Sequence, residues 1–543
     1  MEKVHNRHLL AVGKVHKEDS LREKNKPNTI FFACCSQMPY YPRMKHLQLI
    51  IAIISTVLLL PKLGLADSEL LEPCPVSTHS KILDYEDKAL CARIALPEAN
   101  QNNARSVSLN VVVLPATTRA KQADPIVLLA GGPGQSVVSV GPSWAGRFEN
   151  LRKHRDFLLI DQRGTGDSNS LACAEALAPI FDESDLNSDV NLVLDQQIAA
   201  LKDCLTTLDA DPRFYTTIDA AADLEAVRQR LGYPAMNLFG ISYGTRIALV
   251  FNRLYPDAVR SLLLDAVAPV DMLIPARVGL DADLAFTRIT AECDETPSCQ
   301  KAFPDLPAQL LQAEQRLRQT PNQLITNPLT GEQQNVSLDP RVINRLLRSA
   351  LYSRTLRQVI PLAISEASKG RWQVLAGIAE VLSPDASAND LSLGMMASVL
   401  CSEDMSRMTP QPQNGVYFDN ALQELLASIC PIWPHIPVAE DYFLPVASQV
   451  PALLMSGTED PITPPMYAER ALAFLPNGHH LEVVGGAHGV SQLGCLPTLI
   501  EGFLKDLSFS SEEAQCVQTI QGQPFFSNYA GPFETEVEAT TDD

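Results

Sequence analysis

The chain has 543 residues, of which 46% are hydrophobic and 20% charged, and its formal net charge is −20. That length exceeds what one small core organises, so a large domain with a second module is expected. The balance also excludes fibrous and wholly disordered classes. Residues 1–66 hold ten Lys+Arg against four Asp+Glu, which leaves 33 basic and 59 acidic residues in the remainder. A body this acidic, with no Lys/Arg cluster, argues against a nucleic-acid partner, whose phosphates require clustered cations.

In chain order, Met44-Lys45-His46 is a short basic start, Leu47–Leu60 a 14-residue apolar run, and Gly64-Leu65-Ala66 offers small residues for a cleavage site. This is the layout of a secretory signal peptide over 44–66. The run is short for a membrane span of about 20 residues, so no stable span is expected in the mature form; an uncleaved anchor is the alternative. A basic region normally opens such a segment. Residues 1–43 are therefore read as a mis-assigned extension upstream of a start at Met44. The expected location is outside the cytoplasm, periplasmic or secreted.

Ten cysteines follow the signal: Cys74, Cys91, Cys173, Cys204, Cys293, Cys299, Cys401, Cys430, Cys495 and Cys516. An even number in an exported chain implies disulfides. Pairing neighbours along the chain gives 74–91, 173–204, 293–299, 401–430 and 495–516, with free core cysteines as the alternative. Neither C-x-x-C nor H-E-x-x-H occurs, so no metal site and no cofactor are expected.

From about 105 to 270, short β-rich apolar runs alternate with helical patterns. Strands are predicted at Val107–Leu114, Pro125–Ala130, Phe157–Asp161, Met236–Phe239 and Ser261–Asp265, and a helix at Ile218–Leu231. Such alternation predicts an α/β fold with a mostly parallel sheet flanked by helices, its first part spanning 67–270. Residues 271–445 read as an inserted helical cap, with helices at Pro307–Arg318, Val342–Leu351 and Leu356–Ser368. The α/β pattern resumes over 446–530, with strands at Ala452–Ser456 and His480–Val484 and helices at Met466–Phe474 and Leu496–Leu507. The acidic tail, 531–543, is predicted to be disordered.

Gly240-Ile241-Ser242-Tyr243-Gly244 follows a predicted strand and precedes a helical run. That context is the one a nucleophile elbow needs, because the turn is too tight for side chains two residues either side of the serine. A serine hydroxyl needs a base, and the base an orienting carboxylate. Asp460 and His488 follow the two late strands in the order Ser, Asp, His, on the same sheet edge as Ser242. Glu459 competes with Asp460 for the acid role. His479 and His480 fall at a strand start, on the wrong edge for the base. The Gly131-Gly132-Pro133-Gly134 run closes the strand at 125–130 and can present an oxyanion-binding amide at Gly132, with the Tyr243 amide as the second donor; a plain Gly/Pro turn is the alternative.

Gly131-Gly132-Pro133-Gly134-Gln135-Ser136, Asp161-Gln162-Arg163-Gly164-Thr165-Gly166, Gly240–Arg246 and the Asp460 and His488 loops together resemble the proline iminopeptidase and tripeptidyl-aminopeptidase-like branch of the α/β-hydrolases. The resemblance covers about 75 to 530. Ala130 stands where the family often has a histidine. The resemblance implies a serine peptidase that removes N-terminal residues from short peptide substrates with a free N-terminus. Such an enzyme must hold an ammonium group, and in that branch a Cys-x-acid element does so, which points to Glu403 first and Asp404 second in Cys401-Ser402-Glu403-Asp404. Arg163 is expected to pin loops. A carboxylesterase or lipase with the same triad, and a binding protein that has lost catalysis, are the rival readings.

Overall fold

The computed structural model describes residues 70–74, 89–99, 105–173, 190–382, 391–408 and 415–532. The expected signal segment over 44–66, the stretch before it and residues 533–543 of the acidic tail lie outside the described residues.

Nine strands form the main sheet: β1 (Glu72–Pro73), β2 (Leu90–Pro97), β3 (Ser106–Leu114), β4 (Ile126–Leu129), β5 (Phe157–Ile160), β6 (Met236–Ile241), β7 (Val259–Asp265) and, after a separate hairpin of β8 (Asn322–Thr326) and β9 (Gln333–Ser337), β10 (Ala452–Gly457) and β11 (Gly478–Val483). Their order is β1-β2-β3-β5-β4-β6-β7-β10-β11. From β5 to β11 every pairing is parallel, whereas β1, β2, β3 and β5 pair antiparallel. Parallel strands lie between two helical layers, so both faces must be apolar. The four-residue runs Ile-Val-Leu-Leu of β4 and Phe-Leu-Leu-Ile of β5 are buried throughout. Alternate residues serve opposite faces: Val127 and Leu129 belong to one core, Ile126 and Leu128 to the other. Burying each such side chain contributes roughly 1.5–3 kcal/mol. Strand β2 was missing from the sequence expectation because it alternates buried and exposed residues near the sheet edge, with Arg93 and Ala95 outward.

Helices of the core include α1 (Val137–Arg147), α2 (Thr217–Leu231) and α3 (Tyr243–Leu254) and, late in the chain, Pro465–Leu472 and Leu496–Asp506. Helix α2 begins in a capping box, in which Thr216 and Asp219 satisfy one another's backbone N–H, and ends at Gly232 with φ 74°. Residues 271–445 are mostly helical, as expected, and include α4 (Ile274–Glu295), α5 (Arg341–Leu351) and α6 (Leu393–Glu403). The β8–β9 hairpin is an addition. The helix expected over Leu356–Ser368 is two, Arg354–Arg357 and Ile360–Ser368, with Pro361 in the first turn of the second, where its missing N–H costs no hydrogen bond.

Packing divides this region. Residues from Ala282 to Ile378 enclose their own core, joined by Phe418 and Phe525. Leu393, Met395, Val399, Leu400, Leu426 and Trp433 instead join the core on one face of the main sheet. Helix α6 is thus part of the α/β body, although its sequence lies inside the expected cap. The disulfides are Cys74–Cys91, Cys173–Cys204, Cys293–Cys299, Cys401–Cys430 and Cys495–Cys516, the neighbour pairing. Among the described residues no helix is long and apolar enough to cross a membrane.

Candidate active site

Ser242 sits between β6 and α3 with φ 58° and ψ −128°. A left-handed conformation at a non-glycine residue costs of order 1–3 kcal/mol and needs support from its surroundings. The support is visible. The Ser242 amide donates to the carbonyl of Asp265 at 3.0 Å. Thr245 Oγ1 donates to the Ser242 carbonyl at 2.6 Å and accepts from the Ala268 amide at 2.8 Å. A Cβ on Gly244 would lie 2.1 Å from the Leu129 carbonyl oxygen, so only glycine lets the new helix pass β4. The turn leaves Ser242 half-buried at the carboxyl edge of the sheet.

Asp460 and His488 meet at that edge. His488 Nδ1 lies 3.0 and 2.9 Å from the two carboxylate oxygens of Asp460. Asp460 Oδ1 also accepts from the amides of Ile462 and Thr463, and Oδ2 from Thr463 Oγ1. With acceptors filling that side, Nδ1 carries the proton and Nε2 is left as the basic nitrogen. Burial by itself would raise the Asp460 pKa, but the His488 imidazole and the two loop amides hold it below the usual carboxylate range. Burial by itself would lower His488, but Asp460 and, more weakly, Asp265 raise it above the ordinary histidine value.

The competitors lie elsewhere. Glu459 pairs with Arg357, which also pairs with Glu292 of α4; burial and the Glu292 charge push Glu459 up to about 7. His480 Nε2 is bonded to Ser456 Oγ at 2.6 Å, and His479 stacks at a tilt on Phe509.

One residue that the sequence reading did not single out ties the pieces together. Asp265, at the end of β7, is fully buried. Its carbonyl receives the Ser242 amide, and its carboxylate accepts from the amides of Val490 and Ser491 at 2.8–3.0 Å. One residue, through its backbone carbonyl on one side and its carboxylate on the other, therefore joins the serine turn to the loop two residues past His488. The only sequence signal was an acidic residue closing an otherwise apolar strand.

The glycine-rich loop crosses over the serine. A Cβ on Gly131 would stand 3.1 Å from Ser242 Cβ and 3.5 Å from its Oγ, so the backbone before Gly132 approaches the hydroxyl as closely as a side chain would. The Asp161-Gln162-Arg163 turn supports this loop and its surroundings. Asp161 accepts from Ser136 Oγ at 2.7 Å and the Val138 amide at 3.0 Å, which fixes the entry to α1. Gln162 donates to the Tyr243 hydroxyl, and Arg163 grips Asp223 with two hydrogen bonds of 2.7 Å while donating to the carbonyls of Glu98 and Phe214.

Glu403 and Asp404 require a correction. Both are buried, and their oxygens are engaged internally. Glu403 accepts from the Thr217 amide at 2.7 Å, Thr217 Oγ1 at 2.9 Å and the Tyr442 hydroxyl, with Arg246 3.7 Å away. Asp404 accepts from Arg246 and the Ile274 amide, both at 2.8 Å. The expectation that either carboxylate faces a substrate ammonium fails because α6 packs inside the α/β body, where an ionised acid must be satisfied by protein donors. The same network reaches the elbow from behind: the Tyr243 hydroxyl lies 2.7 Å from Thr217 Oγ1.

Tyr352, the residue that caps α5, brings the helical region to the site. Its ring packs edge-on against His488 at 5.1 Å between centroids.

The α/β-hydrolase fold family model matches residues 124–492. The chain belongs to this family. It is a serine hydrolase. The hydrolase YuaR of Escherichia coli is 23% identical over 479 residues, covering 82% of this chain and 92% of the relative. Serine protease Hip1 of Mycobacterium tuberculosis is 23% identical over 449 residues, 74% of this hydrolase and 82% of Hip1. A tripeptidyl aminopeptidase of Streptomyces coelicolor is 31% identical over 184 residues, 31% of this chain and 33% of the relative.

Proposed function

We propose that this hydrolase is an exported serine peptidase that releases N-terminal residues from peptides. Ser242 is the nucleophile, His488 the general base and Asp460 its orienting acid; the amides of Gly132 and Tyr243 form the oxyanion hole. The observation that carries the reading is the two-oxygen grip of Asp460 on His488 Nδ1, at the same sheet edge as a strained serine turn. His488 Nε2 takes the Ser242 proton as Oγ attacks the scissile carbonyl, then delivers it to the leaving amine. Asp460 stabilises the imidazolium formed in between. Water hydrolyses the acyl-enzyme by the same route in reverse. Peptides as the substrate class are supported by the relatives named serine protease and tripeptidyl aminopeptidase. Export is supported by the five disulfides and by the signal-like segment at 44–66.

The test is labelling with a fluorophosphonate probe, followed by profiling on aminoacyl and tripeptidyl arylamides and on N-blocked esters. Labelling that disappears in Ser242→Ala, with release from free-amine arylamides, is expected. Hydrolysis of esters alone would replace the peptidase by a carboxylesterase, and a wild-type protein that takes no label would leave a binding protein.

A further inference from the structure

Helix α5 carries its three arginines along one side. Arg341, Arg345, Arg348 and the capping Tyr352 are spaced by four, three and four residues, so they fall on one side. Ile343, Leu347, Ala350 and Leu351 occupy the opposite side and are buried in the helical core. The stripe ends on the Tyr352 ring, against His488. Arg341 pairs with Asp339. Arg345 and Arg348 make no ion pair among the described residues, and both reach solvent. Arg348 also bonds the Tyr352 side chain. The charged groups around Arg345 are Asp419 and Asp339, which attract it, and Arg348 and Arg341, which repel it. The two guanidinium groups repel one another, and although Asp419 attracts Arg345, it forms no ion pair with it among the described residues.

We infer that Arg345 and Arg348 form a subsite for a carboxylate on the leaving part of the substrate, so that the enzyme prefers short peptides that end in a free C-terminus near the scissile bond. The inference rests on the peptidase reading above. The direction follows from the chemistry of the base: His488 must hand its proton to the leaving amine, so what borders it from the helical side meets the leaving peptide. The reach follows from helix geometry. Arg348 and Arg345 lie four and seven residues before Tyr352, about 6 and 10 Å along the axis at roughly 1.5 Å per residue. An extended peptide spans about 3.3–3.6 Å per residue, so a leaving portion of roughly two or three residues brings its terminal carboxylate to the pair. Guanidinium groups suit this task because they hold a carboxylate through paired, charge-assisted hydrogen bonds. An acidic side chain in the leaving peptide carries the same chemistry, and the test separates the two sources.

The experiment compares kcat/KM on Ala-Ala-Ala-Gly-Gly-Gly as free acid and as C-terminal amide, and on amidated Ala-Ala-Ala-Glu-Gly-Gly against its Gln counterpart. A neutral tripeptidyl arylamide is the control. The free acid is expected to be favoured roughly tenfold over the amide, the scale of one charged hydrogen-bonded contact, and the preference should shrink at high salt. Arg345→Gln should abolish the ratio while the arylamide rate is held, Arg345→Lys should restore part of it, and Arg348→Gln should abolish the ratio with any change at Tyr352 falling on all substrates alike. A merely structural role for these arginines would slow all substrates together and leave the ratio intact, which overturns the inference. So does a wild-type ratio of one. A preference seen only for Glu over Gln would overturn the C-terminal assignment and move the subsite to acidic side chains. An enzyme that leaves the neutral arylamide uncut but hydrolyses an ester fails the peptidase reading itself.

Discussion

Replacing Asp460 by Asn tests the assigned acid and can be worked from its contacts. Oδ1 of Asp460 receives two backbone amides, from Ile462 and Thr463 at 2.9 and 2.8 Å. These donors do not move, so the asparagine must place its carbonyl oxygen there. Its NH2 then takes the Oδ2 position and faces His488 Nδ1 as a donor. The imidazole must answer by accepting at Nδ1 and carrying its proton on Nε2, the tautomer that cannot take a proton from Ser242. The site is buried, so water offers no escape. The side chain keeps its size and most of its bonds, so folding and substrate binding should survive. In the serine-protease triad the same exchange lowers kcat about 10⁴-fold, or roughly 5.5 kcal/mol of transition-state stabilisation. Steady-state kinetics on a tripeptidyl arylamide should show that loss in kcat with KM within a few-fold. Glu459→Gln should stay within about tenfold of wild type, because Glu459 addresses Arg357. The opposite ranking, with Glu459→Gln inactive and Asp460→Asn active, would refute the assignment.

Three other outcomes follow from the buried charges. Asp265→Asn removes a negative charge that favours the His488 imidazolium; the other groups facing that ring are Asp460, Thr463 and Tyr352, with Arg348 and Asp281 beyond them. Loss of the charge lowers the His488 pKa, so the acid limb of the kcat/KM–pH profile should move to lower pH, whereas an unmoved limb would limit Asp265 to bracing the loop. Arg357→Ala strands Glu459 and unpairs Glu292 at the junction of α4 with the acid loop. It should cost about 3 kcal/mol in urea unfolding at pH 8, and less at pH 5.5: Glu459 is pushed up to about 7 in the folded state, so lowering the pH below that value protonates it and removes the unpaired charge. Glu403→Ala leaves the Thr217 amide and the Tyr442 hydroxyl without their acceptor and removes one of the two carboxylates beside Arg246, so it should destabilise by roughly 3–5 kcal/mol. If it instead raises KM selectively for free-amine substrates with stability intact, Glu403 meets the substrate ammonium and is not confined to the internal network.

Much of the chemistry was legible in the chain. Ser242, Asp460 and His488 each follow a run of β-rich apolar residues, and a parallel sheet places every such loop at one edge, so the order of strands alone brings the Asp460 and His488 loops together at the edge where Ser242 sits. The five disulfides join neighbours in sequence, which is the outcome when short loops carry the smallest closure cost. The partners of Glu403 were not legible. Its sequence surroundings read as cap, but the donors and the cation that claim it come from Thr217, Tyr442 and Arg246, up to 186 residues away.

What the sequence determined by itself is therefore local: which strands are buried on both faces, where the backbone turns too tightly for a side chain, and which residues the strand ends deliver to one edge. What only the tertiary structure decided is which charges have partners. Asp265 becomes the tie between the serine turn and the His488 loop, Glu403 becomes internal, and Arg345 and Arg348 stay without an ion pair among the described residues on the helix whose cap, Tyr352, packs on His488. The reason is physical. Apolar periodicity is written along one segment, whereas a buried charge is satisfied by whichever distant donors the fold packs against it.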